Sequence, residues 1–284
     1  MKRKLIYLLM FFLILAGCDS QEVKGIKIES DSIITKVEKE TFENKELQID
    51  TSFKTIHIFV ALCDNKYQGI VPVPASIGNG QDPNGNLYWG AGYGVRTYFK
   101  KSNEWKFLES IKYDSLVMER VVFKHVSKNY YIVADAYNGK YIKKCIFDFF
   151  ESSCGKLKDT LTVENRTIGI NGYSSLVSFI GHDGLMEFDI GGDFTNTDQK
   201  MRDVIILSCV SKDFFGPYLK RANINPLVWT TNLMGPEAYT IHDALSGYVI
   251  GENNEQIRTR AAKAYSKYTK CSEKAARNLL VTGW

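Results

Sequence analysis

The sequence predicts an α/β domain built on a mainly parallel sheet. Two observations carry that expectation. Short runs rich in Val, Ile, Leu and Phe recur along the chain, apolar throughout rather than alternating, as strands buried on both faces require. Segments with apolar residues at helical spacing lie between and after them, and such alternation favours a parallel sheet. At 284 residues, 44% hydrophobic and 24% charged, the chain has the composition of a globular protein long enough for one large domain.

The first central strand is residues 56–63, IHIFVALC, which runs into a polar loop at Asp64. Residues 71–94 follow as a long Pro/Gly-rich loop, and a loop of that length in a compact domain is usually functional. Its Gly90, Gly92 and Gly94 lack the full dinucleotide fingerprint and the phosphate-loop lysine, so they are expected to permit close backbone approach. Residues 95–107 predict a helix, and residues 116–123 and 130–137 a pair of strands. Residues 140–151 place Ile142, Cys145, Ile146, Phe149 and Phe150 at helical spacing, with Gly155 as a stop.

Two short apolar runs come next. SLVSFIGHDG places His182 after its apolar residues, and DVIILSC ends in Cys209. Both are bounded by Gly and polar residues, as buried strands are. Residues 212–222 suit a helix, residues 226–231 a strand, and residues 236–248, 255–268 and 271–280 helices.

The address precedes the domain. Basic Lys2-Arg3-Lys4 leads an apolar run closed by small residues at Ala16-Gly17, the pattern of a secretory signal peptide too short to span a membrane. The tetrapeptide Leu15-Ala16-Gly17-Cys18 resembles the lipobox of bacterial lipoproteins. That resemblance implies cleavage before Cys18, lipidation of Cys18 and anchoring to an envelope membrane, facing the periplasm or the exterior; several acyl chains anchor stably where one would not. Residues 1–17 are thus the signal peptide, residues 18–52 the lipidated cysteine and a polar tether, and residues 53–284 the domain.

The formal charge of +4 includes the three leader cations, so the mature chain is nearly neutral and has no electrostatic case for nucleic acid. With Cys18 lipidated, five cysteines remain, and an odd number leaves at least one free or paired between chains. Cys145 and Cys154, close in sequence, form the expected bridge. His125 and His242 lack metal-like neighbours and no CxxC or HExxH occurs, so neither a metal nor a cofactor is expected.

Reactive groups in open α/β sheets gather where loops leave the carboxyl ends of strands. A thiol and an imidazole at two such ends can form a nucleophile–base pair, which nominates Cys209 and His182. Cys63 also ends a strand, but His57 lies on that same strand and is too far along it to serve.

The strand ending Ile180-Gly181-His182 with Gly184, followed by the strand ending Leu207-Ser208-Cys209, resembles the caspase-fold cysteine peptidases: caspases, legumains, gingipains and clostripain. The resemblance implies a caspase-like three-layer sandwich and acyl transfer, with Cys209 as nucleophile, His182 as acid–base, and the N–H groups of Gly184 and Cys209 as the oxyanion hole. In that family Gly directly follows His, whereas here Asp183 intervenes. The loop after the next strand shapes the substrate pocket in such enzymes, which nominates Trp229, Asn232, Met234 and Glu237 by position. Asp183 could hydrogen-bond the imidazole or attract a basic substrate group. Glu187, Asp213 and Glu237 add acids nearby, and Glu237 alternatively opens a helix. The expected activity is that of an envelope-anchored cysteine peptidase acting on a peptide or protein. The alternative is a non-catalytic lipoprotein of the same fold that binds a peptide or protein partner.

Overall fold

A computed structural model describes residues 48–284. The expected signal peptide, Cys18 and nearly all of the expected tether lie outside the described residues. The chain enters the sheet at β1 (Lys54–Ala61), every residue of which after Lys54 is buried. The long loop then leads to α1 (Val95–Lys100), β2 (Trp105–Lys112), β3 (Val117–His125) and β4 (Tyr130–Tyr137). The expected helix over residues 95–107 is therefore shorter. It ends near Ser102, whose hydroxyl accepts the Glu104 N–H at 3.0 Å and turns the chain into β2.

Helix α2 (Ile142–Ser153) precedes the hairpin β5 (Lys158–Val163) and β6 (Arg166–Asn171), then β7 (Leu176–Ile180) and β8 (Arg202–Leu207). Helix α3 (Ser211–Leu219), β9 (Ile224–Thr230), α4 (Ala238–Tyr248), α5 (Asn254–Thr269), α6 (Glu273–Leu279) and β10 (Leu280–Val281) complete the chain. The main sheet has eight strands in the order β10-β9-β8-β7-β1-β4-β3-β2. β9, β8, β7, β1 and β4 run parallel, while β3, β2 and β10 pair antiparallel at the two edges. The expected mixed α/β domain with a largely parallel sheet is thus what forms.

Helices cover both faces. Ile56, Ile58 and Val60 of β1 pack with Phe99 of α1, Ile241 and Leu245 of α4, and Ile257 of α5. Phe59 and Ala61 pack on the other face with Ile146, Phe149 and Phe150 of α2 and Phe215 of α3. Burying a side chain of Leu, Ile or Phe size contributes about 1.5–3 kcal/mol, so these two faces hold the helices against the sheet. Cys145 and Cys154 correct an expectation: all five described cysteines are free. Cys145 lies in α2 and Cys154 is its C-cap, and a helical rise of about 1.5 Å per residue holds them well beyond disulfide reach.

One buried polar cluster interrupts this core. His57 of β1 meets Asp135 of β4 at 3.1 Å, and Arg120 of β3 donates to both oxygens of the same carboxylate, at 2.6 and 2.7 Å. The Asn171 N–H donates to His57 Nδ1 at 3.1 Å, which makes Nδ1 the acceptor and Nε2 the donor to Asp135. Burial holds the imidazole below its ordinary pKa, and the Arg120 and His57 partners outweigh burial to bring Asp135 down to about 2.

The strand order sets the position of the cleft. From β1 the chain moves to β4 on one side, then returns to β7 on the other, so β1 and β7 form a topological switch point. Loops leaving the carboxyl ends on either side of such a point diverge and leave a crevice.

Candidate active site

The crevice at that point is a cavity of about 310 Å³ that has both Cys209 and His182 in its wall. The loop after β1 supplies Ile70, Val71 and Tyr88, and the turn after β7 supplies His182 and Met186. Beyond β8 and β9 the wall is Cys209, Leu233, Met234 and Pro236. The long loop expected to be functional therefore does reach the cavity. It is braced by Asn86, whose side chain accepts the Cys63 N–H at 3.1 Å and donates to the Cys63 carbonyl at 2.8 Å. Of its glycines, Gly90 and Gly94 show the close approach expected, to the carbonyls of Pro83 and Asn84 and to the Trp89 backbone, whereas Gly92 faces open space.

Cys209 stands on the turn between β8 and α3. Val210, next to it, is in the left-handed region at φ 47°, which a β-branched residue adopts only under strain. The strain is held by the Val210 N–H donating to the Asn232 carbonyl at 3.0 Å, and by Ser211, whose N–H and hydroxyl both meet Thr230 Oγ1 at 3.0 Å. The thiol is half-buried and lies against the backbone of Met234: it accepts the Met234 N–H at 3.4 Å and faces the Met234 carbonyl at 3.7 Å. Burial raises its pKa, the Met234 N–H opposes that, and the Asp183 carboxyl adds to it. At rest the sulfur is a neutral thiol.

His182 is fixed from the other side. Its Nε2 lies 2.7 Å from Glu187 Oε1, at the end of the short 3₁₀ turn Gly184–Met186. Glu187 also presses on the loop after β1, because a Cβ at Gly69 would occupy the space of its carboxylate. A carboxylate bound to one imidazole nitrogen fixes the ring and leaves the other nitrogen, Nδ1, for chemistry.

Asp183 turns inward. It is fully buried and caps the 3₁₀ turn, its Oδ1 accepting the Leu185 N–H at 3.0 Å, while Oδ2 has no hydrogen-bond partner among the described residues. Burial pushes its pKa to about 7, the Leu185 bond opposing this and Glu187 assisting it. It therefore neither hydrogen-bonds the imidazole nor offers an exposed charge to a basic substrate. The Gly184 N–H donates to the His182 carbonyl at 3.1 Å. Among the described residues, the N–H groups of Asp183 and Cys209 are not taken by any backbone carbonyl. Asp183 has φ −82°, a conformation open to any residue, so the position after the histidine does not require glycine here.

Of the substrate-pocket residues expected from position, only Met234 lines the cavity. Trp229 is buried with the α2–α3 side of the core, donating Nε1 to the Gly283 carbonyl at 3.0 Å and meeting Trp284 edge to face. Asn232 caps its own turn through the Leu233 N–H at 2.7 Å. Glu237 precedes α4 and accepts the Tyr239 hydroxyl at 2.9 Å, in line with its reading as a helix start. Cys63, the rival thiol, is fully buried and pushed up to about 11 by that burial. His57 is committed to Asp135 and cannot assist it.

Sequence reasoning did not single out Glu187 as a partner of His182, nor Ile70, Tyr88 and Leu233 as cavity walls. An acid a short turn after the histidine was the one available signal for Glu187. The walls come from loops far apart in sequence and carry no motif.

Fold and cleft together define an α/β domain with a thiol and an imidazole facing one crevice at the switch point of its sheet. Comparison with known proteins adds no name: no family model, no curated protein and no solved structure matches the chain.

Proposed function

We propose that the chain is a cysteine hydrolase of the bacterial envelope, a peptidase related in arrangement to the caspase fold, held at a membrane through lipid on Cys18. The observation that carries this reading is the meeting of Cys209 and His182 in one cavity, with the distal nitrogen of His182 bound to Glu187. In the proposed reaction the proton of Cys209 passes to His182 Nδ1 as sulfur attacks a peptide carbonyl. The oxyanion is received by the N–H groups of Cys209 and Asp183, the pair not taken by backbone carbonyls. His182 then returns the proton to the leaving amine, and water hydrolyses the thioester. The thiol must first turn from the Met234 backbone toward the ring, a rotation that substrate can trigger by occupying the cavity.

A second reading has its own support. The resting thiol is bound to backbone and held protonated rather than activated, which suits a lipoprotein that binds a peptide or protein partner without cleaving it. Incubating the protein with a mixed peptide library separates the two. Products formed by wild type and absent with Cys209→Ala support the hydrolase. Peptides retained equally by both proteins, with no products, support the binding module.

A further inference from the structure

The cavity wall has a composition that selects among substrates. Ile70, Val71, Tyr88, Leu233, Met234 and Pro236 surround the space beside Cys209, and no aspartate, glutamate, lysine or arginine lines it. Four nearby acids are engaged elsewhere, and Asp213, exposed on α3, does not line the cavity. Asp183 is buried as a cap, Glu187 is bound to His182, Glu237 to Tyr239, and Asp64 to the N–H groups of Lys66 and Tyr67. At the mouth, Val71, Met186 and Leu233 are exposed over 88%, 45% and 66% of their surface. Three large apolar side chains, from three separate loops, thus meet water around this one opening. Side chains so placed gain by burial against an apolar ligand, at about 25 cal/mol per Å² covered.

We propose that this cavity takes an uncharged aliphatic side chain of leucine or methionine size, on the residue whose carbonyl acylates Cys209. The assignment rests on the hydrolase reading and supplies its substrate class. A volume of about 310 Å³ lies at the small end of ligand sites, which run from about 300 to 1,000 Å³, and suits one side chain with its flanking backbone. A lysine, arginine, aspartate or glutamate side chain would lose its water there without a counter-charge in the wall. The basic substrate group anticipated from the nearby acids is therefore disfavoured, because none of those acids lines the cavity.

The test uses purified full-length protein and peptidyl chloromethyl ketones ending in leucine, lysine or aspartate, with iodoacetamide as a small reference reagent. In the labelling step Cys209 sulfur attacks the methylene carbon, a C–S bond forms, the C–Cl bond breaks, chloride leaves, and the thiol proton passes to base. Labelling of Cys209 is followed by peptide mass mapping. The leucyl reagent is expected to react at least about tenfold faster than the lysyl and aspartyl ones. Leu233→Glu, at the exposed rim, is expected to reduce the leucyl-to-lysyl ratio about tenfold, each rate being divided by the iodoacetamide rate of the same variant. Equal leucyl and lysyl rates in a protein whose Cys209 takes iodoacetamide would overturn the pocket assignment and leave the thiol site standing. Failure of Cys209 to react with any reagent would overturn the hydrolase reading and the assignment with it.

Discussion

His182 Nε2 and Glu187 Oε1 stand 2.7 Å apart, joining the end of β7 to the turn that follows it. That bond occupies Nε2 and, in the proposed mechanism, leaves Nδ1 to exchange the proton with Cys209. Glu187→Gln keeps the shape but not the charge that steadies a protonated ring, so kcat should fall about 10- to 100-fold with KM within about twofold. Glu187→Asp should recover part of the loss. Steady-state kinetics of the three proteins on a leucyl peptide checks this, and an unchanged kcat in Glu187→Gln would remove Glu187 from the mechanism.

Gly69 offers an independent route to the same bond. Its added Cβ would meet the far end of the Glu187 side chain, which can swing aside, rather than backbone. Gly69→Ala should therefore lower kcat as Glu187→Gln does, and the double variant should be no worse than either single. Thermal unfolding of Gly69→Ala should stay close to wild type, which separates this effect from a general loss of structure.

Asp183 makes stability depend on pH. Its carboxyl titrates near 4 when unfolded and at about 7 in the native protein, so across that window the native state holds the extra proton. Stability should fall as pH rises from about 4 to 7 and remain lower above it. Asp183→Asn retains an acceptor for the Leu185 N–H and cannot ionise. It should be more stable than wild type by about 2–4 kcal/mol at pH 8 and about equal at pH 4, read by urea unfolding. Removing the charge should also speed Cys209 alkylation at pH 8, since Asp183 raises the thiol pKa.

Asp135 works in the opposite sense. Its native pKa of about 2 lies below the unfolded value, so its contribution is present above about pH 4 and is lost as pH falls toward 2. Asp135→Asn leaves Arg120 buried without its counter-charge and should cost about 3–5 kcal/mol at pH 7. Chemical unfolding at pH 7 checks this, and a loss under about 1 kcal/mol would show that water or rearrangement compensates.

The central strands were legible because burial on both faces makes β1, β7 and β8 apolar throughout. β2 was not, because only Trp105 of the strand is buried and its neighbours are polar enough to extend a helical pattern. The β5–β6 hairpin turns at Glu164-Asn165, both at positive φ, without the glycine that usually marks such a turn. At the site, Cys209 and His182 could be read from their places at strand ends, whereas Trp229 could not be placed correctly. Its position on β9 sends it to the face of the sheet occupied by α2 and α3, and strand alternation alone does not say which face lines a cleft.

In the proposed mechanism Cys209 and His182 act as one unit. This is tested most directly by a double-mutant comparison of kcat/KM for peptide hydrolysis among wild type, Cys209→Ala, His182→Ala and the double variant. The account predicts that each single variant loses at least about a thousandfold and that the double variant is no worse than the poorer single, as for groups that act together. Hydrolysis that survives in Cys209→Ala, or losses that multiply in the double variant, would contradict it.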